Sequence, residues 1–405
     1  MLVDLTKFRD RAQGLSDDIV RWRRDLHRIP ETGIHTPKTE DYICGELDKM
    51  GIPYRRDVGK NGCTGVVAMI EGKGTGKVFA IRADCDGLPI VEETGLPFAS
   101  TNGNMHACGH DAHSAIALGT AKIIKENADS LEGRVRLIFQ PGEEGNPEGP
   151  GGARRMVDDG AMDNPRVDAI VGLHVGMLGG SKVGEICFRR EALMACMDRF
   201  EITVKGVGSH GSAPQNSVDP IMIAAEIITT IQTIISREIP PLTPAVISFG
   251  SIHAGSAFNI IPSECRLSGT IRALKNEVRK KLADRIGEVA KAVAEGMRGS
   301  VEYDFNWDGP PPVVNNPEVS EEFRRVAERL FPGDVLEMPE PVMGGEDMAF
   351  FLEKAPGTYF FLNTCDPARH KVYHHNSKFD FDESPLWRGA AIMSAMAFQW
   401  LSDHK

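Results

Sequence analysis

Val135-Arg-Leu-Ile-Phe-Gln-Pro-Gly-Glu-Glu-Gly145 is the stretch on which the fold turns. Val135–Phe139 reads as a short buried strand. The chain leaves it at once for a proline, two glycines and two adjacent carboxylates. The pattern recurs at Ala169–Leu173, an apolar run followed directly by His174-Val-Gly. Gly65–Ile70 and Val78–Ala83 are two more short apolar runs, and His113–Glu126 has the length and pattern of an apolar helix. Short strands interleaved with helices predict an α/β sheet. Ligands of open α/β sheets lie beyond the carboxyl ends of the strands, so polar residues at those points are the first candidates for chemistry.

Working outward, residues 4–29 place Leu5, Phe8, Leu15, Ile19, Trp22 and Leu26 at helical spacing, and Pro30 stops the helix. A second helix is expected over Thr36–Met50, capped by Gly51. The rhythm changes over 193–306. Strand Asp198–Val204, helix Pro220–Ile235, strands Ala245–Ile252 and Cys265–Arg272, helix Glu277–Met297 and strand Val301–Phe305 give the order β-α-β-β-α-β of a ferredoxin-like unit. Such a unit folds alone, so it reads as an insertion, with Pro310-Pro-Pro as the return linker. Helices Glu318–Leu330, Asp347–Leu352 and Pro385–Ser402 and strand Thr358–Leu362 should then complete the first sheet. The expected fold class is therefore α/β, a mixed-sheet domain over 1–192 and 307–405 with an inserted ferredoxin-like α+β domain over 193–306.

The 405 residues carry a formal net charge of -11, which argues against nucleic acid or an anionic membrane as partner, since both need a basic footprint. The 8 cysteines are scattered with no CxxC pair, as in a protein whose thiols stay reduced. The first ten residues carry charges where a secretory signal needs an apolar stretch, and no apolar run approaches the ~18 residues of a membrane span. A cytoplasmic location is expected.

The chemistry gathers first in Met105-His-Ala-Cys-Gly-His-Asp-Ala-His113. Thiolate and imidazole are the usual ligands of zinc-like cations; Cys108 and His110 are close enough to share one centre, and Gly109 lets the backbone turn between them. A polar loop with Asp111 as helix cap is the plainer reading. Glu143-Glu144 offers one carboxylate for metal and one as general base for a water, against a solvated acidic loop. His174 alone would more often be a hydrogen-bonded core residue, and His374-His375 a surface loop. Together these four loops carry enough donors for two divalent ions. In the inserted segment, Gly206-Val-Gly-Ser-His-Gly-Ser212 places His210 between glycines, where it could stabilise an oxyanion; an exposed turn is the alternative. Asn259 and Arg272 are further polar candidates, Arg272 as a clamp for a substrate carboxylate or as an ordinary strand arginine.

Arg82-Ala-Asp-Cys-Asp-Gly-Leu-Pro, His106-Ala-Cys-Gly-His-Asp, Gln140-Pro-Gly-Glu-Glu-Gly, Gly172-Leu-His174, Ser209-His-Gly-Ser-Ala-Pro, Asn259-Ile-Ile-Pro, Gly344-Gly-Glu-Asp-Met-Ala-Phe-Phe and His374-His375…Phe-Asp-Phe-Asp-Glu383 follow one another in that order. Over nearly its whole length the chain resembles the amidohydrolase branch of the aminoacylase/carboxypeptidase metallopeptidases, which includes hippurate hydrolases and hydrolases of auxin–amino acid conjugates. The resemblance implies a catalytic domain with a two-metal centre and a lid domain that mediates a homodimer or homotetramer. It implies Cys108, His110, Glu144, His174 and His375 as metal ligands, His375 being preferred to His374 by its spacing to Glu383, and Glu143 as general base. His210 and Asn259 would reach substrate, with a partner subunit's site as the second place where they could act. Manganese or zinc is the expected metal, cobalt or nickel the alternative. The implied substrate is an N-acyl amino acid. Cys85 and Gly87 stand where the branch usually has Met and Ala, and the loop after Glu144 is longer than usual; these departures bear on substrate preference. A metallo-carboxypeptidase or dipeptidase acting on unblocked peptides is the nearest rival, and a ligand-binding protein or a metal sensor the rivals from other classes.

Overall fold

A computed structural model describes residues 3–405 apart from 147–148, 177–179, 181 and 367. Internal contacts divide the chain into two compact units. One comprises Met1–Leu193, Val314–Glu340 and Asp347–Lys405, the other Met194–Val313 and Pro341–Glu346.

The first unit is built on an eight-stranded mixed sheet. Its strands are β1 (Tyr54–Val58), β2 (Gly65–Glu71), β3 (Lys73–Asp84), β4 (Glu132–Gln140), β5 (Ala169–Gly176), β6 (Ile186–Phe188), β7 (Val335–Glu337) and β8 (Gly357–Asn363). They lie in the order β1-β2-β4-β3-β5-β8-β6-β7. The centre, β4-β3-β5-β8, is parallel, while β1, β2 and β6 run antiparallel to their inner neighbours. Parallel strands covered on both faces must be apolar throughout, and β5 is buried at all eight positions. Helix His110–Glu126 packs against Ser16–His27 and Leu386–Asp403, and the last of these lies on β3 and β4. Phe8, Trp22, Phe79, Phe139 and Phe360 are enclosed in this core.

Sequence and structure differ at the start. The single helix expected over 4–29 is two, Thr6–Gln13 and Ser16–His27. The apolar spacing runs through the break, and Gly14 with Leu15 carries the interruption. Helix Pro37–Met50 ends as expected on Gly51, whose φ of 64° suits a glycine. The helix that opens the metal-rich loop begins at His110, three residues earlier than its apolar run.

The second unit has a four-stranded antiparallel sheet in the order Ala245–Ala254, Glu264–Ala273, Asp198–Lys205, Ser300–Asn306. Helices Pro220–Thr233 and Asn276–Gly296 cover one face, and the element order is that of a ferredoxin-like fold. Asp198–Lys205 alternates buried and more exposed residues, as a sheet with one covered face requires. Phe200, Ile202, Ile227, Ile231, Leu267 and Leu282 form its own core. Helix Pro220–Thr233 continues as a π-helical turn over Ile234–Glu238. Residues 341–346, expected with the first domain, belong here: Val342 bridges Met194 and the Ala195 amide donates to Gly344 O at 3.0 Å. No helix among the described residues is long and apolar enough to cross a membrane.

Candidate metal centre

The candidate ligands of the first unit meet where β3, β4 and β5 end. After β3, Asp84-Cys85-Asp86 leads into the cleft; after β4 come Glu143 and Glu144; β5 carries His174 within its last turnless residues; and helix His110–Glu126 begins there. Cys108 lies one residue before the helix cap Gly109, whose φ is 90°. A Cβ on Gly109 would stand 2.7 Å from Val175 Cγ2, so glycine is needed for both the turn and the close approach. The His375 amide donates to Ala107 O at 2.8 Å, which ties the C-terminal histidine loop to the cysteine loop.

Among the predicted ligands and base, three groups of donor atoms have all their atoms within 4.8 Å of one another: Cys108, His110 and His174; Cys108, Glu144 and His375; and His110, Glu143 and Glu144. Cys108 is common to the first two. Cys108 Sγ is 3.4 Å from His174 Nε2, and His375 Nε2 is 3.2 Å from Glu144 Oε1. His374 turns the other way, its Nε2 donating to Val175 O at 3.0 Å, with its ring against Phe379. His375 takes a φ of 63°, a conformation that costs a non-glycine residue energy and concentrates at functional sites.

The donors are oriented as metal ligands need to be. His174 Nδ1 donates to Val175 O at 2.7 Å, which leaves the lone pair on Nε2, facing Cys108. His110 Nδ1 donates to Asp86 O at 3.0 Å, and His110 Nε2 is buried with no hydrogen-bond partner. A ring nitrogen tied back to a carbonyl, with the other presented to a cleft, is the usual arrangement of metal-binding histidine. A buried nitrogen without a partner is costly unless something binds it. This donor set of thiol, imidazoles and carboxylates fits a divalent cation of the zinc or manganese kind.

The electrostatics follow from burial and crowding. Burial pushes the Cys108 thiol well above its usual range, and Glu144 acts in the same direction. Burial also opposes a charge on His110, but the neighbouring Asp84 carboxylate and the Asp86 hydrogen bond outweigh it and move the group well above its usual value. His174 is pushed well below its usual value by burial, then by His113 and His374. Glu144 loses hydration on burial, yet the His375 contact and His110 keep its carboxyl below the ordinary value. A cation in this cleft would take the place of protons on Cys108 Sγ and on the ligating imidazole nitrogens.

A supporting network surrounds the donors, and of its members sequence analysis gave a role only to Asp111, as a helix cap. Asp86 accepts from the Glu143 amide at 3.0 Å and from the Glu144 amide at 3.2 Å, so it fixes the loop that carries both carboxylates. Asp84 pairs with Arg82 Nη1 at 2.9 Å and accepts from His113 Nδ1. His113 Nε2 accepts from the Val175 amide at 2.9 Å, so both its nitrogens are engaged. Arg82 also donates to Gln140 and to Asp347 Oδ1. On the other side of the loop, Asp111 lies 2.7 Å from His27 Nδ1 and 2.9 Å from Arg23 Nε. Gly109 is the helix cap, and Asp111 is a buried ion-pair partner in the first turn. The signal available in the sequence was the run Arg82-Ala-Asp-Cys-Asp86, three charges at the end of an apolar strand.

His210, Asn259 and Arg272 lie in the second unit. His210 and Asn259 are neighbours there: His210 pairs with Ile260 in a two-stranded ladder, and the Gly211 amide donates to Asn259 O at 2.8 Å. His210 is exposed, with Nδ1 2.8 Å from Ser212 Oγ. Arg272 is at the far end of strand Glu264–Ala273, eight residues from the end that adjoins this ladder, and donates to Thr270 Oγ1 and Ile271 O.

Comparison with known proteins agrees with this geometry. Residues 80–399 match the peptidase family M20/M25/M40. The chain is 39% identical over 396 residues to thermostable carboxypeptidase 1 of Saccharolobus solfataricus, covering 97% of this chain and 98% of that one. It is 37% identical over 393 residues to the N-acetyl-L-cysteine deacetylase of Bacillus subtilis, covering 96% and 90%. Among solved structures, the Bacillus subtilis YXEP protein, described as a dinuclear metal binding peptidase of the M20 family, superposes with a TM-score of 0.82 at 34% identity, covering 96% and 99%. With the donor cluster at the strand ends, these likenesses settle the lineage: the chain belongs to the peptidase family M20/M25/M40 and is a hydrolase of amide bonds.

Proposed function

We propose that the enzyme cleaves the amide bond of N-acyl amino acids with the aid of two divalent cations, zinc or manganese, held by Cys108, His110, Glu144, His174 and His375. The observation that carries this reading is the sharing of Cys108 between two donor groups, one with His110 and His174, the other with Glu144 and His375. One thiolate between two sets of donors suits a paired centre. Such cations supply a water of lowered pKa and polarise the substrate carbonyl. Glu143, its amide held by Asp86, takes the proton of the attacking water and passes it to the nitrogen of the departing amine. Asp86 and the backbone carbonyl of Val175 keep His110 and His174 in the tautomer that presents Nε2. We assign His210 the donation of a hydrogen bond to the oxyanion, and Asn259 and Arg272 contacts to substrate; a homodimer through the second unit completes the reading.

A carboxypeptidase acting on unblocked peptides is the second reading, favoured by the likeness to the Saccharolobus enzyme. Turnover by the purified protein, stripped of metal and then supplied with zinc or manganese, separates the two. Acetyl-, benzoyl- and other acyl-amino acids should be cleaved, with activity lost on chelation and restored by metal. Preference for free dipeptides would give the second reading the stronger claim.

A further inference from the structure

We propose that the cavity beside Glu144 is an acyl-group pocket, and that the enzyme prefers bulky, uncharged acyl groups to acetyl; this rests on the N-acyl amino acid reading above. The cavity measures about 650 Å³ and is walled by segments 32–35, 61–62, 87–89 and 144–146, all of the first unit. Its volume lies within the range of small-molecule sites, ~300–1,000 Å³, and exceeds what an acetyl group could fill.

The walls are fixed before any substrate arrives. The Thr64 amide donates to Ile34 O at 3.0 Å, and His35 Nδ1 lies 3.2 Å from Gly62 O. The Gly87 amide donates to Glu31 O at 2.7 Å and the Leu88 amide to Met105 O at 2.9 Å. A preformed wall keeps the affinity that an ordered loop would otherwise lose on binding.

The lining decides which part of the substrate enters. Ile34, Leu88 and Pro89 give it apolar surface, and the described lining residues include no lysine or arginine. The amino-acid half of an N-acyl amino acid carries a carboxylate, for which the described wall offers no guanidinium or ammonium group. The acyl half is uncharged and attaches directly to the carbonyl that must reach the metal ligands. Since Glu144 belongs to both the donor cluster and the wall, an acyl chain can extend from the one into the other. Each methylene buried against the apolar wall should raise kcat/KM about fourfold.

The test compares N-acetyl-, N-butanoyl-, N-octanoyl- and N-benzoyl-alanine, and N-acetyl-alanine with N-acetyl-leucine and N-acetyl-phenylalanine, on the metal-loaded enzyme. The unaltered enzyme should favour the bulky acyl groups. Thr32→Trp, at an exposed wall position, should lower the octanoyl-to-acetyl and benzoyl-to-acetyl ratios of kcat/KM at least tenfold. Leu88→Ala, which removes apolar surface without adding bulk, should lower them about fivefold. Ratios within the amino-acid series should move less than twofold in both variants. Acyl ratios unchanged in folded variants, or a shift confined to the amino-acid series, would overturn the pocket assignment while leaving the N-acyl reading intact. Cleavage of free dipeptides but of no acylated amino acid would overturn both.

Discussion

The first unit buries the polar groups behind its candidate site, and the second displays those of its own. Around Cys108, the side chains of Asp84, Asp86, His110, Asp111 and His113 are all 0–1% exposed, and each is held by partners from other elements. On the second unit, His210 and Asn259 sit in the open beside a two-residue ladder, and the hydrogen bonds around His210 go to residues 212 and 213. The second unit can bury charge where it needs to: Asp198 is held by Arg279 at 2.8 Å and 2.5 Å. Its exposed histidine is therefore a local choice. Buried polar groups are assembled by the fold and carry stability as well as chemistry. Exposed ones can be removed with little effect on folding, so any change they cause in activity speaks for function alone.

The sharpest way to break this contrast is at the base. Glu143→Ala should lower kcat about 10²–10⁴-fold while bound metal, measured by elemental analysis, stays at the level of the unaltered protein. Loss of metal along with activity would instead make Glu143 a ligand. Next comes the network. Asp84→Asn removes the carboxylate that faces both Arg82 and His113 and leaves the buried Arg82 guanidinium short of one charged partner. A cost of about 3–5 kcal/mol is expected, read as a lower midpoint in denaturant with reduced metal content. Asp198→Asn, which leaves Arg279 in the same position, should cost a similar amount without affecting metal content. A stable Asp84→Asn protein that retained its metal would show the network to be dispensable.

His210→Ala tests the other side of the comparison. If His210 donates to the oxyanion, kcat should fall about 10²–10³-fold, with the thermal midpoint and metal content unmoved, because the side chain is exposed. Unchanged kcat would return His210 to the exposed turn that is its plainer reading.

What the sequence disclosed follows the same division. Strands and helices with their own periodicity were readable, as were the four loops that carry unlike donors at strand ends. Pairings between distant segments were not. Nothing in Gly357–Asn363 says that it inserts between β5 and β6, since its apolar residues would suit any interior strand. Residues 341–346 show no period of their own, and it is backbone bonding to Met194 and Ala195 that takes them into the second unit. Likewise Arg82, Asp84 and Asp347 form one cluster although the last is 265 residues from the first, and a charged residue in a sequence looks exposed until its partner is known. His374 and His375 are the same residue type side by side; the left-handed backbone at 375 and the carbonyl of Val175 turn them in different directions.

Exposure rather than membership of a unit should set the scale of these effects, and the first unit's own surface shows it. Glu321, on helix Pro317–Leu330, is bonded to Arg324 at 2.6 Å. That bond holds its carboxyl down at about 2, against 4.5 ordinarily, with Arg325 adding to the effect. A group whose folded pKa is depressed contributes its full stability above the unfolded value and loses it as pH falls toward the folded one. The pair therefore stabilises above about pH 4.5 and fades as pH drops toward 2. The side chain is 25% exposed and its arginine 32%, so water and salt screen the attraction, and about 1 kcal/mol or less is expected. Glu321→Gln should lower the thermal midpoint slightly at pH 7, less in high salt, and the difference should shrink below pH 4. A penalty of the size expected for Asp84→Asn, or one that persisted in acid, would mean that helix-surface pairs in this protein are as deeply coupled as the charges behind the metal ligands.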